Sequence, residues 1–393
     1  MEHAARDRRL WIFFSWLLGG WLKRKFNFTP ERVEVAGPYL VLLNHATDWD
    51  PLLASQSFRK NQMYYVASEH IFRWGLVWRV INWILHPIPR LKGTTASDTV
   101  LAVVRRLKKG GNVAIFAEGN RCWDGRTGEI SPSTAKLARM CGATLITYRF
   151  TGGYFTSPRW AGASLRRGKM TGRAVGVYSH EELRAMTAEQ VGALIRRDLF
   201  EDAYATQRAE PVAYRGKALA EGLEQMLCLC PVCGKIGTLA SRNDTLRCAH
   251  CGLTVTYDEY GFLSGEGLPF HCIPDWDAWQ TGELRRIADE AGSDVVFSDE
   301  GAALTAVLEG HKSRLLGTGE LSLRAGALCC AGREFPLDEI SGMGLYGPLG
   351  MSFTCGGGHY DIRLSPGKCL RKYNTTYNYL REKAHTGKDT VRC

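Results

Sequence analysis

The chain has 393 residues, 45% of them apolar and 23% charged, with 43 glycines and 13 cysteines. At ~100–200 residues per domain that length implies two or three domains, and the composition excludes wholesale disorder and collagen-like repetition. A net charge of +10 points to an anionic partner: nucleic acid, a membrane surface or a phosphorylated ligand. The charge is uneven, however. Residues 1–200 hold 30 Lys+Arg against 15 Asp+Glu, and the rest hold 20 against 25. Nine of the eleven tryptophans also lie in the first 200 residues. Basic and tryptophan-rich together favours a membrane surface, where indole rings sit among the headgroups.

Residues 1–30 come first. Arg8-Arg9 precedes the apolar or small run Leu10 to Trp21, and Lys23-Arg24-Lys25 follows it. As a helix this run spans about 18 Å, short of the ~30 Å hydrocarbon core. Gly19-Gly20 is followed by a tryptophan and basic residues, a poor signal-peptide cleavage site. The expectation is a helix lying in the membrane interface, with Trp11, Trp16 and Trp21 in the headgroup layer and basic flanks toward anionic lipid. The alternative is an ordinary core helix with exposed basic ends. A second segment, 72–85, is apolar around most of its circumference and reads as buried or half in lipid.

Residues 31–205 alternate short apolar runs with helical stretches. Tyr39–Leu43, Met63–Ala67 and Asn112–Phe116 read as strands. Ser97–Lys108 repeats Val100, Val103, Val104 and Leu107 on one helical face. Ser179-His-Glu-Glu182 is a capping box opening a helix toward Phe200. This alternation predicts an α/β domain with a largely parallel sheet. Residues 206–227 read as a linker helix, 228–262 as a cysteine module and 263–312 as a connecting helical segment with a helix at Trp276–Ala291. From 313 to 393 the chain is β-rich, with short runs such as Gly317–Leu323, Ala327–Cys330 and Tyr360–Leu364, closed by a helix over Cys369–Ala384. Several short strands and one C-terminal helix resemble a pleckstrin-homology-like barrel at the level of fold.

Three pieces of the α/β domain carry chemistry. Asn44-His45-Ala46-Thr47-Asp48-Trp49-Asp50-Pro51 follows a strand. A histidine leaving a strand with an aspartate five positions on forms a turn in which the carboxylate meets one ring nitrogen, and the other nitrogen faces a cleft as a base. The plainer alternative is a surface histidine beside a helix-capping aspartate. Phe116-Ala117-Glu118-Gly119-Asn120-Arg121 places a guanidinium and a close-approaching backbone at a strand's C-terminal end, where α/β proteins bind ligands. Arginine there suits a phosphate. Pro87-Ile88-Pro89-Arg90-Leu91-Lys92-Gly93 adds two more cations.

In this order and spacing, with Glu118 73 residues after His45, the pieces resemble the 1-acyl-glycerol-3-phosphate acyltransferase family of glycerolipid acyltransferases. That family is marked by Asn-His-x4-Asp, a Gly-x-Ile-x-x-x-Arg loop and Phe-Pro-Glu-Gly-Thr-Arg. The resemblance covers residues 20–200 and implies the family's αβ domain. It casts His45 as general base and Asp50 as its orienting carboxylate. Glu118, Gly119 and Arg121 become the acceptor's phosphate and glycerol site, Arg90 or Lys92 a second phosphate ligand, and Thr47 falls where the family carries a small hydroxyl residue. Ala117 and Asn120 replace the family's proline and threonine, and these departures bear on which acceptor is used. The implied reaction is direct transfer of a fatty acyl group from acyl carrier protein or coenzyme A to the sn-2 hydroxyl of 1-acyl-glycerol 3-phosphate, giving phosphatidic acid for phospholipid biosynthesis. No serine sits in a nucleophile elbow, so no acyl-enzyme is expected. Glycerol 3-phosphate or another lysophospholipid is the alternative acceptor.

The cysteine count is odd, and its only tight cluster lies at 228–251. This reads as cytosolic thiols plus a metal site, not a secreted disulfide scaffold. Cys230-Pro-Val-Cys233-Gly and Cys248-Ala-His-Cys251-Gly are paired knuckles whose four thiolates complete a tetrahedral structural zinc, a zinc ribbon with no open coordination position. No catalytic metal or organic cofactor is expected. Zinc ribbons also bind nucleic acid, but residues 228–260 carry three basic and three acidic side chains, a poor footprint for phosphates. A non-catalytic lipid- or nucleic-acid-binding adaptor is therefore the rival from another class. The favoured expectation is an enzyme at the cytoplasmic face of a membrane, peripheral or monotopic, with anionic lipid, a lysophospholipid and an acyl donor as partners and nucleic acid not among them.

Overall fold

The computed structural model describes residues 2–68, 82–83, 86–90, 96–308 and 312–390. Lys92 and most of the apolar segment 72–85 lie outside them. The chain divides into two compact units, one running to Arg159 and over Ala163–Gly216, the other comprising Trp160–Gly162 and the chain from Lys217.

The first unit contains, in order, α1 (Glu2–Phe26), β1 (Phe28–Pro30), β2 (Tyr39–Leu43), α2 (Asp50–Ala54), β3 (Met63–Ser68), β4 (Ile88–Arg90), α3 (Ala96–Lys108), β5 (Asn112–Phe116), α4 (Pro132–Met140), β6 (Thr144–Thr151), α5 (Gly153–Thr156), β7 (Met170–Tyr178), α6 (His180–Ala185), α7 (Ala188–Leu199) and α8 (Ala203–Ala209). Its sheet has the order β1-β7-β6-β2-β5-β3-β4. Strands β2 to β6 run parallel, and β7 is antiparallel to β6. Every residue of the central β2 is buried, because both faces of a parallel sheet are covered. Leu40 and Leu42 pack with Val103 and Leu107 of α3 and Ile195 of α7, while Tyr39, Val41 and Leu43 pack with Trp11, Leu22 and Phe26 of α1.

Helix α1 is thus not a separate element ahead of the domain. Trp11, Leu22 and Phe26 bury one stripe in the core of the unit, and Ile12, Phe13, Trp16, Leu17 and Trp21 stand exposed on the other side. Trp16, at 69% exposure, carries the largest uncovered ring on that face. Trp11, expected in the headgroup layer, is instead 2% exposed in the core, because it lies on the stripe with Leu22 and Phe26 rather than with Trp16 and Trp21. Among the described residues, no helix is long and apolar enough to cross a membrane.

Three further expectations change. The capping box at Ser179 and Glu182 forms, but Met186 leaves the helical conformation and Thr187–Gln190 makes a second capping box, so two helices replace one. Residues 206–227 are not a linker helix. Helix α8 stops at Ala209, Pro211 cannot supply the backbone donor a helix needs, and only a short 3-10 turn forms at Leu223–Gln225. Finally, the C-terminal sheet begins inside the expected helical connector 263–312, at Val295.

The second unit opens with β8 (Leu239–Arg242), β9 (Thr245–Cys248), β10 (Thr254–Tyr257) and β11 (Leu263–Ser264), an antiparallel meander. Helix α9 (Ile273–Ala291) follows. Then come β12 (Val295–Val307), β13 (Ser313–Arg324), β14 (Ala327–Cys330), β15 (Arg333–Pro336), β16 (Ser341–Tyr346), β17 (Gly350–Cys355), β18 (Gly358–Arg363) and α10 (Leu370–Thr390). Their order, β15-β14-β13-β12-β18-β17-β16, joins two meanders through β12 and β18. A single helix, α10, closes this β-rich region. Helix α10 is locked on by Tyr373, whose hydroxyl donates to Asp299 and whose neighbour Lys372 pairs with the same carboxylate at 2.6 Å.

Candidate active site and metal centre

Leu43 of β2 lies opposite Phe116 of β5, so the register offset of these two parallel strands is the same 73 residues that separate His45 from Glu118. The Ala117 N–H donates to the Leu43 carbonyl at 2.9 Å, carrying the ladder past the strand ends. His45 and Glu118 therefore meet at the carboxyl edge of the sheet. The His45 backbone N–H donates to Glu118 Oε1 at 2.7 Å.

From His45 the chain turns into α2. Asp50 is fully buried, and its Oδ2 accepts from the backbone N–H groups of Ala46 at 2.7 Å and Thr47 at 2.9 Å. The same oxygen lies 2.9 Å from His45 Nδ1. Its Oδ1 accepts from the Thr47 hydroxyl at 2.6 Å. An ionised carboxylate only accepts, so Nδ1 carries a proton, and in the neutral imidazole Nε2 then keeps its lone pair. The imidazole stacks on Phe116, with ring centroids 4.2 Å apart, and retains 19% side-chain exposure. Its Nε2 makes no hydrogen bond among the described residues. The arrangement is an oriented, partly open base: one nitrogen fixed, the other available.

The second motif divides. Both Glu118 oxygens are taken by backbone donors, His45 on one and Gly128 at 2.6 Å on the other, and burial pushes this carboxyl up to about 7 against the pull of those donors. Gly119 adopts φ +66°, and a Cβ there would stand 3.3 Å from Arg90 Nη1. Arg90 ends β4 and is exposed, and its guanidinium makes no hydrogen bond among the described residues. Arg121 is different. Its guanidinium is 7% exposed and is spent on the carbonyls of Ala46 and Ser157 and on Asp48 at 2.7 Å. The expectation that Arg121 grips substrate gives way to a brace that ties this loop to the His45 turn. Thr47, grouped by sequence with the substrate contacts, is likewise buried and serves Asp50.

Sequence reasoning left three residues without roles. The Asn44 carboxamide donates to the Phe150 carbonyl at 2.9 Å and accepts from its N–H at 2.8 Å, continuing the ladder to β6 beyond the end of β2. Its place in the Asn-His pair was the available signal. Phe116 supplies the floor under His45, and Trp49 packs on α1. For these two the sequence offers only aromatic character.

In the second unit, the Sγ atoms of Cys230, Cys233, Cys248 and Cys251 all lie within 4.8 Å of one another, with Cys230–Cys251 at 3.6 Å and Cys233–Cys248 at 3.7 Å. A tetrahedron with Zn–S bonds of about 2.3 Å has edges of about 3.8 Å, so the thiols fit one ion of that size. Gly234 and Gly252 adopt φ +66° and +79°, and their N–H groups fold back onto the carbonyls of Cys230 and Cys248. This is the turn that aims each cysteine pair inward. The four-cysteine group can hold a metal ion.

Residues 25–151 match the Acyltransferase family model. Among solved structures, the chain is similar to the 1-acyl-sn-glycerophosphate (LPA) acyltransferase PlsC from Thermotoga maritima, with 19% identity over 45% of this chain and 74% of that one and a TM-score of 0.36. No curated protein matches.

Proposed function

We propose that the protein is a membrane-associated glycerolipid acyltransferase that moves a fatty acyl group from an acyl thioester, carried on acyl carrier protein or coenzyme A, to the sn-2 hydroxyl of 1-acyl-glycerol 3-phosphate. One observation carries the reading: His45 Nδ1 is held at 2.9 Å by a buried carboxylate, and Nε2 is left open at the carboxyl edge of the sheet. In that geometry Nε2 takes the proton of the acceptor hydroxyl as its oxygen attacks the thioester carbonyl, and the thiolate leaves. Asp50 fixes the tautomer and steadies the imidazolium that forms. Arg90, beside Gly119 and free to reach outward, binds the acceptor's phosphate.

The exposed face of α1 supports a membrane location. Ile12, Phe13, Trp16, Leu17 and Trp21 form an apolar strip flanked by Arg8, Arg9, Lys23 and Arg24, the composition of a helix lying in the interface of anionic lipid at the cytoplasmic face. The four cysteines hold a structural zinc. Its four ligands leave no coordination site for chemistry, so no catalytic step involves it.

The test is to assay purified protein against 1-acyl-glycerol 3-phosphate, glycerol 3-phosphate and other lysophospholipids with both donor types. Transfer to 1-acyl-glycerol 3-phosphate, lost on the order of 10²–10⁴-fold in a folded His45→Ala variant, is the expected result. Near-normal transfer by that variant would sink the mechanism, and transfer only to another acceptor would reassign the substrate.

A further inference from the structure

Trp49 sits inside the catalytic turn, one residue before Asp50, and no part of the mechanism above uses its side chain. Its backbone is integral to the turn: the N–H donates to Thr47 Oγ1 at 3.1 Å, and the carbonyl accepts from Leu52 and Leu53 at 3.0 and 2.9 Å as α2 begins. Its indole points away from Asp50 onto α1. The ring centroids of Trp49 and Trp21 lie 5.5 Å apart, and those of Trp49 and Phe26 lie 5.7 Å apart. Lys25 Nζ stands 4.6 Å from the Trp49 ring and 4.5 Å from the Trp21 ring, so one ammonium is shared by two indole faces. Lys25 has no carboxylate partner among the described residues.

We propose that Trp49 is a positioning residue through which α1 holds the His45–Asp50 turn in its working geometry. The inference rests on the reading of His45 as base but adds a part to it. The bonds to Asp50 are local, all made within residues 45–50, and on the sheet side the turn is tied by Glu118 to the His45 N–H and by Arg121 to Ala46 and Asp48. The Trp49 ring, packed on Trp21 and Phe26, anchors the turn from the α1 side as well, against the Asp50 end. The ring also brings the turn within one side-chain layer of the exposed strip on α1, since Trp21 belongs to both.

Orientation and binding are separable here. Removing the indole leaves every donor to Asp50 in place and leaves Arg90 untouched. The loss then falls on kcat, because the oriented nitrogen matters only when the proton moves, and the KM for the donor stays near its starting value. Phenylalanine restores the ring contacts with Trp21 and Phe26 and recovers most of the rate.

The experiment uses the full chain with water-soluble, short-chain acceptor and donor analogues and no vesicles, so that lipid binding does not enter. Trp49→Ala, Trp49→Phe and His45→Ala are compared by steady-state kinetics, and the His45 Nδ1–H proton is followed by NMR of histidine-labelled protein, its signal assigned by its loss in His45→Ala. The expected result is a fall in kcat on the order of 10–100-fold for Trp49→Ala with KM changed less than about twofold. The Nδ1–H signal should shift or broaden, and Trp49→Phe should return both toward wild type. An unchanged signal and kcat in Trp49→Ala overturn the proposal, as does a fall in kcat that Trp49→Phe does not relieve. If His45→Ala keeps its activity, the base assignment fails, and the NMR comparison of the two Trp49 variants still decides whether Trp49 positions the ring.

Discussion

The His45 turn and the four-cysteine cluster are assembled by the same device, a backbone turn that aims side chains at one point, yet they finish in opposite ways. Around Asp50, two backbone N–H groups, a hydroxyl and an imidazole converge on a single carboxylate, and the imidazole keeps its far nitrogen open. In the second unit, four thiols converge on one another within the reach of a single ion. Under the proposed function, the valence left over separates a site for chemistry from one for structure. Charge follows the same division. The excess of Lys and Arg lies in the first 200 residues with the open site, and the cysteine module is balanced.

Metal removal challenges this contrast most severely. Structural zinc contributes about 10–16 kcal/mol to small metal-nucleated folds. Stripping the ion, or replacing Cys230 by serine, should therefore unfold the β8–β10 meander, read as lost amide protection there alongside zinc content near one per chain before treatment. If the meander keeps its protection while acyl transfer disappears, the cluster is not closed in function and the contrast fails. Next in size is Asp50→Asn, which removes the carboxylate charge facing His45 Nδ1 and replaces one acceptor oxygen with a donor, and should lower kcat by about 10²–10⁴-fold with the protein still folded, as checked by circular dichroism. Thr47→Val is milder. It strips a buried hydroxyl that gives one bond to Asp50 and takes one from the Trp49 N–H, and thermal melting should register a loss of about 1–3 kcal/mol.

How much of this was legible in the sequence depended on how local the cause was. Strands β2 and β5 could be read because uninterrupted apolar runs end at turn residues, and their pairing was implicit in the 73-residue spacing once both were strands. The cysteine knuckles were legible for the same reason, with the glycines marking the turns. Arg121 was misread because its partners, Asp48, Ala46 and Ser157, lie 73, 75 and 36 residues away, so nothing nearby in the chain marks a buried guanidinium. Strand β12 escaped notice because its pairing with β13 is irregular at three points, and the stretch Ser298-Asp299-Glu300-Gly301 breaks the alternation that signals a strand. Helix α1 is apolar on both faces, so periodicity alone had no means of saying which one enters the core.

The smallest effect concerns Glu118, the group that joins the open site to the sheet. Burial raises its carboxyl from 4.5 to about 7 in the folded protein. Between those values the folded state holds a proton that the unfolded chain has released, so the free energy of unfolding should fall as pH rises through this window and level off above about 7. Glu118→Gln cannot titrate and should lack that slope. The measurement is denaturant unfolding of both proteins at intervals from pH 4.5 to 8, with the difference between them decreasing toward neutral pH. Parallel curves would mean that the carboxylate is ionised throughout and that the His45 and Gly128 donors offset its burial completely. A declining difference would mean that the ionised brace, the form that accepts from both backbone N–H groups, is held at some cost to the fold. That cost belongs to the open site: four thiols can satisfy their charge on a single ion, whereas under the proposed mechanism an available base leans on a neighbour whose own charge is only partly compensated.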